Sequence, residues 1–150
     1  MKKILFLFLL TTMASLVMAQ VQNPVKWSFT SKKISNGVYE VHLLAIIEQG
    51  FHIYAQATPA GGPVPTAITF LKNPLLIFLG SVKEMGKLEQ HNEPLFGVDV
   101  KQFSNKVDFV QRISLITKAK TAVKGSIEFM VCNDKQCLPP KTVAFNIPFK

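Results

Sequence analysis

The chain has 150 residues, with 17 Lys+Arg against 9 Asp+Glu and a formal charge of +8. Charged residues make up 17% and hydrophobic residues 48%, which excludes a disordered chain and supplies enough apolar side chains for a real core. Two cysteines exclude a disulfide-dense mini-protein, a four-cysteine zinc site and a cysteine-held iron–sulfur cluster.

Residues 1–19 read as a secretory signal peptide. Lys2 and Lys3 give a positive start, and Ile4 to Leu10 is an apolar run. Val17-Met18-Ala19 then sets compact residues ahead of a cut before Gln20. The run is too short for a membrane span, and no later apolar stretch of about 18 residues follows. The protein is therefore expected to be exported and not membrane-embedded, with residues 20–150 as a single domain. Export places the cysteines where disulfides persist. The densest basic points are Lys32-Lys33 and the group Lys118, Lys120 and Lys124. They form no stripe, so nucleic acid is not an expected partner and the lysines read as solvated surface.

In chain order the sequence reads as β nearly throughout. Trp27 to Thr30 alternates apolar and polar. Asn36-Gly37 is a turn signal, and Val38 to Ile47 is rich in β-branched and large apolar residues. Gln49-Gly50 punctuates it, and Phe51 to Tyr54 is a short aromatic strand. Thr58 to Pro65 carries prolines and glycines and reads as a loop. Thr66 to Leu71 and Leu75 to Leu79 are short apolar runs broken by Asn73-Pro74. Lys83 to Glu93 is the most polar stretch and is expected to be an exposed connection. Val98 to Phe103 is expected to pair with Val107 to Ile116, followed by strands at Ala122 to Val131 and Thr142 to Phe149. No window sustains a helical period. Short strands separated by turn signals about every 8–12 residues predict an all-β antiparallel sandwich, with a closed barrel as the alternative.

Most of the chemistry that the sequence offers lies in Phe129 to Pro140, FMVCNDKQCLPP. Ser126 to Cys132 is expected as one strand, with Ile127, Phe129 and Val131 on one face and Glu128, Met130 and Cys132 on the other. Asn133 to Gln136 is turn-like. Cys137 starts the next segment, and Pro139-Pro140 ends regular pairing. Cysteines at the facing ends of a short hairpin can meet the Cα separation that a disulfide needs. A ring of about six residues stabilises by roughly 2 kcal/mol, against nearly 5 for a ring of about a hundred. Two readings stay open at this point: a structural bridge in an exported binding or adaptor sandwich, and a redox pair. Cys132, Cys137, Met130 and His52 are also soft ligands of the kind copper takes, but nothing in their spacing demands a metal, and neither metal nor cofactor is assigned.

The stretch Val131-Cys132-Asn133-Asp134-Lys135-Gln136-Cys137-Leu138-Pro139-Pro140 resembles the active-site segment of the N-terminal periplasmic domain of DsbD-type thiol:disulfide interchange proteins. The similarity runs from about Val25 to Phe149. The resemblance implies an immunoglobulin-like antiparallel β-sandwich, a periplasmic location and thiol:disulfide oxidoreductase activity, with Cys132 and Cys137 as the catalytic pair. It implies thioredoxin-like or isomerase clients, those of cytochrome c maturation among them, and a membrane-delivered dithiol as electron donor. Exchange would run through a mixed disulfide. By analogy, Cys132 joins client and donor, and Cys137 resolves.

Two further segments look like family counterparts. Gly50 to Tyr54 is similar to a Gly-aromatic strand that lines the cysteines with tyrosines. Tyr54 fits that role, and His52 stands where the family has a tyrosine. The resemblance makes His52 a candidate for tuning thiolate formation; the plainer reading is a half-exposed strand histidine. Glu93-Pro94-Leu95-Phe96-Gly97 resembles the mobile cap loop that covers the disulfide with an aromatic ring. Phe96, or Leu95 in strict register, would be the lid, and Glu93 is the single acidic residue where the family pattern carries two. The plainer reading of Phe96 is a core aromatic at a strand entry. Full-length family members continue into a polytopic membrane domain and a thioredoxin-like domain. This sequence ends at Lys150, so the expected donor is a separate membrane protein. Gly-x-Ser-x-Gly, phosphate-loop and His-Glu-x-x-His patterns are absent, and His42 and Trp27 read as structural.

Overall fold

The computed structural model describes residues 23–149, so the expected signal peptide at 1–19 and its cut lie outside the described residues. The described chain forms β1 (Val25–Ser35), β2 (Val38–Ile47), β3 (His52–Tyr54), β4 (Ala67–Phe70), β5 (Leu76–Glu93), β6 (Val98–Leu115), β7 (Ala122–Phe129), β8 (Val131–Cys132) and β9 (Lys141–Pro148). All their pairings are antiparallel, and they build two sheets packed face to face, an immunoglobulin-like sandwich.

The six-stranded sheet is organised around β6. The second half of β6 pairs with β2, and β2 with β1. Its first half pairs with β3, and β3 with β8. Along its other edge runs β5, from Leu76 opposite Leu115 to Glu93 opposite Val98. The three-stranded sheet has the order β4-β7-β9. Period-2 alternation turns Val41, Leu43, Ala45, Val107, Phe109 and Ile113 inward from the large sheet, where they meet Val123, Ile127, Phe129, Phe145 and Ile147 of the small one. Trp27 packs on this core edge-on to Phe129, with ring centroids 5.3 Å apart. Gly125 is required where β4 and β9 flank β7, because a Cβ there would overlap the Thr69 carbonyl oxygen and the Phe145 ring.

Three expectations are corrected. Lys83 to Glu93 is not a connection but the outer part of the 18-residue strand β5. From Lys83 to Asn92 this edge strand is mostly solvated, so it needs no apolar alternation, and only Glu93 at its end is buried. Val98 to Phe103 and Val107 to Ile116 do not pair with each other; residues Val98–Leu115 are one strand, bent where Asn105 takes φ 63°. Asn tolerates this left-handed conformation, and the partner strand slips register beside it, between Gly86 and Leu88. Finally, Ser126 to Cys132 is not one strand. The chain leaves the small sheet after Phe129 and enters the large one at Val131.

That sheet switch positions the candidate site residues. Directly opposed residues in an antiparallel ladder share a face. Ile53, Phe103 and Val131 therefore belong to the face that meets the main core, while His52, Tyr54, Cys132, Gln102 and Val100 lie on the outer face. Tyr54, Val100 and Cys132 form a second buried cluster there, with Val98, Met130 and Cys137 packed around it. The strands at this end of the sheet are buried on both faces.

Candidate functional site

The Cys132–Cys137 disulfide is formed, with Cα atoms 4.0 Å apart. The turn between the cysteines is held by Asn133. Its backbone N–H donates to the Gln136 carbonyl, and its side-chain oxygen accepts from the N–H groups of Lys135 and Gln136, each at 2.9 Å. Leu138 N–H donates to the Val131 carbonyl at 2.9 Å, and Cys132 and Cys137 form an isolated bridge. The hairpin foreseen from the spacing is thus present, and Lys141 opens β9 directly after the two prolines. The two sulfurs are not equivalent: Cys132 is 0% exposed, whereas Cys137 is half-buried. Cys137 is thus the more exposed of the two, whereas the family analogy makes Cys132 the cysteine that joins client and donor.

Beside the bond lies a buried polar trio. The Tyr54 hydroxyl donates to Glu93 Oε2 at 2.8 Å and lies 4.0 Å from Cys137 Sγ. His52 Nε2 is 3.3 Å from the Tyr54 oxygen and 3.4 Å from Glu93 Oε2. His52 is also the cross-strand neighbour of Cys132. Residue exposures of 8% for His52, 0% for Tyr54 and 5% for Glu93 show how little water reaches the trio. His52 is therefore not a half-exposed strand histidine. Burial pushes its basicity below the ordinary histidine range, against the opposing pull of the Glu93 carboxylate. Tyr54 is pushed strongly up, first by burial and then by its bond to Glu93, so it stays a phenol.

Glu93 arrives from the tip of the β5–β6 hairpin. Its backbone carbonyl accepts from Phe96 N–H at 3.1 Å and Gly97 N–H at 2.7 Å, which closes the turn, and Gly97 supplies the φ of 67° that the turn needs. Leu95 N–H reaches Glu93 Oε1 at 3.4 Å. Leu95 is 50% exposed, and Phe96 is half-buried in the turn and belongs to neither buried cluster, so it is not a core aromatic.

The structure thus brings together Cys132, Cys137, His52, Tyr54 and Glu93, and sets Leu95 and Phe96 on the adjoining turn. Sequence reasoning set Met130 on the Cys132 face but missed Val98 and Val100, which join the same cluster. The alternation of Val98 and Val100 in β6 was the signal that could have found them. His42 lies elsewhere on the outer face of the large sheet, paired with Asp108 at 2.7 Å. A cavity of about 630 Å³ between the β4–β5 and β6–β7 connections is lined by Lys72, Lys120 and Lys124 and contains none of the expected site residues. Among the described residues, no group of three or more His, Cys, Asp or Glu is arranged to hold a metal ion.

No family model and no curated protein matches the sequence. The fold, however, is similar to solved structures. The N-terminal periplasmic domain of ScsB from Proteus mirabilis superposes with a TM-score of 0.55 at 14% identity, over 81% of this chain and 44% of that one. This chain thus spans less than half of that ScsB chain. The Neisseria meningitidis DsbD N-terminal domain in its reduced form gives a TM-score of 0.51 at 14% identity, over 81% of this chain and 83% of that one. A complex between the DsbD N-terminal and PilB N-terminal domains, also from Neisseria meningitidis, gives 0.50 at 12%, over 85% and 87%. At such identities the likeness establishes the fold, and the fold is DsbD N-terminal-like.

Proposed function

We propose that the protein is a periplasmic thiol:disulfide oxidoreductase, with residues 20–150 as a single exported domain. It passes electrons between a membrane-linked dithiol donor and thioredoxin-like or isomerase clients through Cys132 and Cys137. The observation that carries this reading is the setting of the disulfide: a half-exposed sulfur on Cys137, a fully buried one on Cys132, and a buried His–Tyr–Glu trio against them. Burying three polar side chains costs free energy unless each finds a partner, and here they find them largely in one another. A bridge that closes a six-residue ring adds only about 2 kcal/mol of stability. An inert staple gives no reason for the first and gains little from the second. The DsbD N-terminal-like fold, and the binding of a DsbD N-terminal domain to a PilB domain, support a protein as the partner.

The steps follow from exposure. A donor thiolate attacks Cys137 Sγ, the Cys132–Cys137 bond breaks, and its electron pair leaves on Cys132 Sγ. The donor's second sulfur then attacks the mixed disulfide. The donor departs oxidised by two electrons, and its two protons pass to the reduced pair. Toward a client disulfide the same steps run in reverse, with Cys137 attacking and Cys132 resolving.

The test is the redox equilibrium of the pair against glutathione, read by mass after thiol alkylation. A potential between roughly −180 and −270 mV lies among catalytic dithiols and is the expected result. A value well below about −300 mV marks a structural bridge and would transfer the protein to the binding or adaptor class.

A further inference from the structure

Each sulfur has its own proton-bearing neighbour. Cys132 faces His52 across the β3–β8 ladder, and Cys137 Sγ lies 4.0 Å from the Tyr54 hydroxyl. That hydroxyl is 2.8 Å from Glu93 Oε2 and 3.3 Å from His52 Nε2, and the histidine and carboxylate are 3.4 Å from each other. A single phenol oxygen therefore connects the half-exposed sulfur to a buried histidine–carboxylate pair. Steric shielding of the disulfide needs no such pair; any apolar residue would shield as well.

Resting on the redox reading above, we propose that the His52–Glu93 pair is the proton acceptor for Cys137: in the reduced protein the Cys137 thiol passes its proton through the Tyr54 hydroxyl to this pair, which leaves a thiolate on the half-exposed sulfur. The step balances. The S–H bond of Cys137 breaks, Tyr54 accepts that proton as it hands its own on, and one proton is gained by the pair. No electron moves. Tyr54 remains a phenol before and after, as its strongly raised ionisation requires.

Charge is the reason for the arrangement. While the disulfide is intact, the trio carries the single negative charge of Glu93. A thiolate formed beside a neutral His52 would put a second negative charge next to the buried trio, where little water screens it from Glu93. With the proton on His52, the net charge stays where it was. Every group facing His52 enters this balance. Glu93 on β5 and Asp134 in the β8–β9 turn favour the imidazolium, while His91 on β5 and burial oppose it. Tyr54 on β3 and Cys132 on β8 complete the surroundings. Burial is the largest influence and keeps His52 neutral beside the disulfide. The thiolate adds the negative charge that tips it.

The test uses the reduced full chain. Alkylation of Cys137 by iodoacetamide is followed from pH 5 to 9 by peptide mass, for the native protein, His52→Gln and Tyr54→Phe. Gln can still donate to Glu93 but cannot take up a proton. The native midpoint is expected below the ordinary thiol value of about 8.5, and each variant should react about tenfold more slowly at pH 7, its midpoint raised by about one unit. Coincident native and variant profiles, or a native midpoint at or above the ordinary value, would overturn the proposal. Tyr54→Phe keeps the ring and its packing, so it decides the matter if His52→Gln does not fold. The measurement needs neither client nor donor. A staple-like potential would sink the function while leaving this profile readable, and coincident profiles would sink the relay while leaving the function.

Discussion

Tyr54 and Glu93 are 39 residues apart in sequence, yet the phenol of one donates to the carboxylate of the other at 2.8 Å, joining β3 to the tip of the β5–β6 hairpin. The bond fixes the hairpin tip over the outer face of the large sheet, where Cys132 lies. Tyr54→Phe keeps the ring and removes the donor. It should cost about 1–3 kcal/mol in urea unfolding of the oxidised protein, the penalty for a buried carboxylate that loses its shortest hydrogen bond. An unchanged midpoint would show that the tip is held by packing alone.

The unequal burial of the two sulfurs decides which cysteine variant traps a partner. Cys137 is half-buried and Cys132 fully buried. With Cys132→Ser, a mixed disulfide formed on Cys137 has no resolving thiol and should accumulate on non-reducing gels. Cys137→Ser leaves only the buried sulfur and should trap little. The opposite pattern would mean that the cysteine turn opens before exchange.

Acid should weaken the oxidised fold through His52. Burial lowers its basicity in the folded state, so the unfolded chain binds the proton more readily. The contribution of His52 is present in full above its ordinary value of 6.5 and is lost as pH falls from there through the depressed folded value. Urea midpoints measured from pH 8 down to pH 4.5 should decline more steeply for the native protein than for His52→Gln, which has no proton to take up. Parallel declines would show that His52 does not titrate differently on unfolding.

Gly125→Ala tests the packing between the two flanking strands. The added methyl meets the Thr69 carbonyl oxygen, a backbone atom that cannot swing away, together with the Phe145 ring. Overpacking of this kind costs about 1–3 kcal/mol. The loss should appear as a lower urea midpoint with the glutathione equilibrium of the disulfide unchanged, because the site is built on the other sheet.

Much of the fold was legible because its signals are local. Val38 to Ile47 carries the period-2 pattern of a half-buried strand, Asn36-Gly37 marks the turn before it, and Thr58 to Pro65 carries loop chemistry. The cysteine hairpin was equally local: its Asn133 turn follows directly from residue types at fixed spacing. The long hairpin was not legible. β5 is an edge strand that is mostly solvated from Lys83 to Asn92, so this stretch shows no alternation that a pattern can detect. Ser104-Asn105-Lys106 looks like a hairpin turn, and only the ladders that resume on both sides of it make Asn105 a bend within one strand.

The sequence by itself determined an all-β chain with two cysteines poised to bridge, because strand alternation, turn residues and a five-residue separation act over short range. The tertiary structure alone decided which sulfur is reachable and what surrounds it. His52 and Tyr54 lie about 80 residues before the cysteines and Glu93 about 40 before them, and no local rule relates them. They meet because the chain changes sheets at Met130 and because β6 carries β3 on one edge and β5 on the other. Those pairings bury the outer face at that end and gather the titratable side chains against the disulfide.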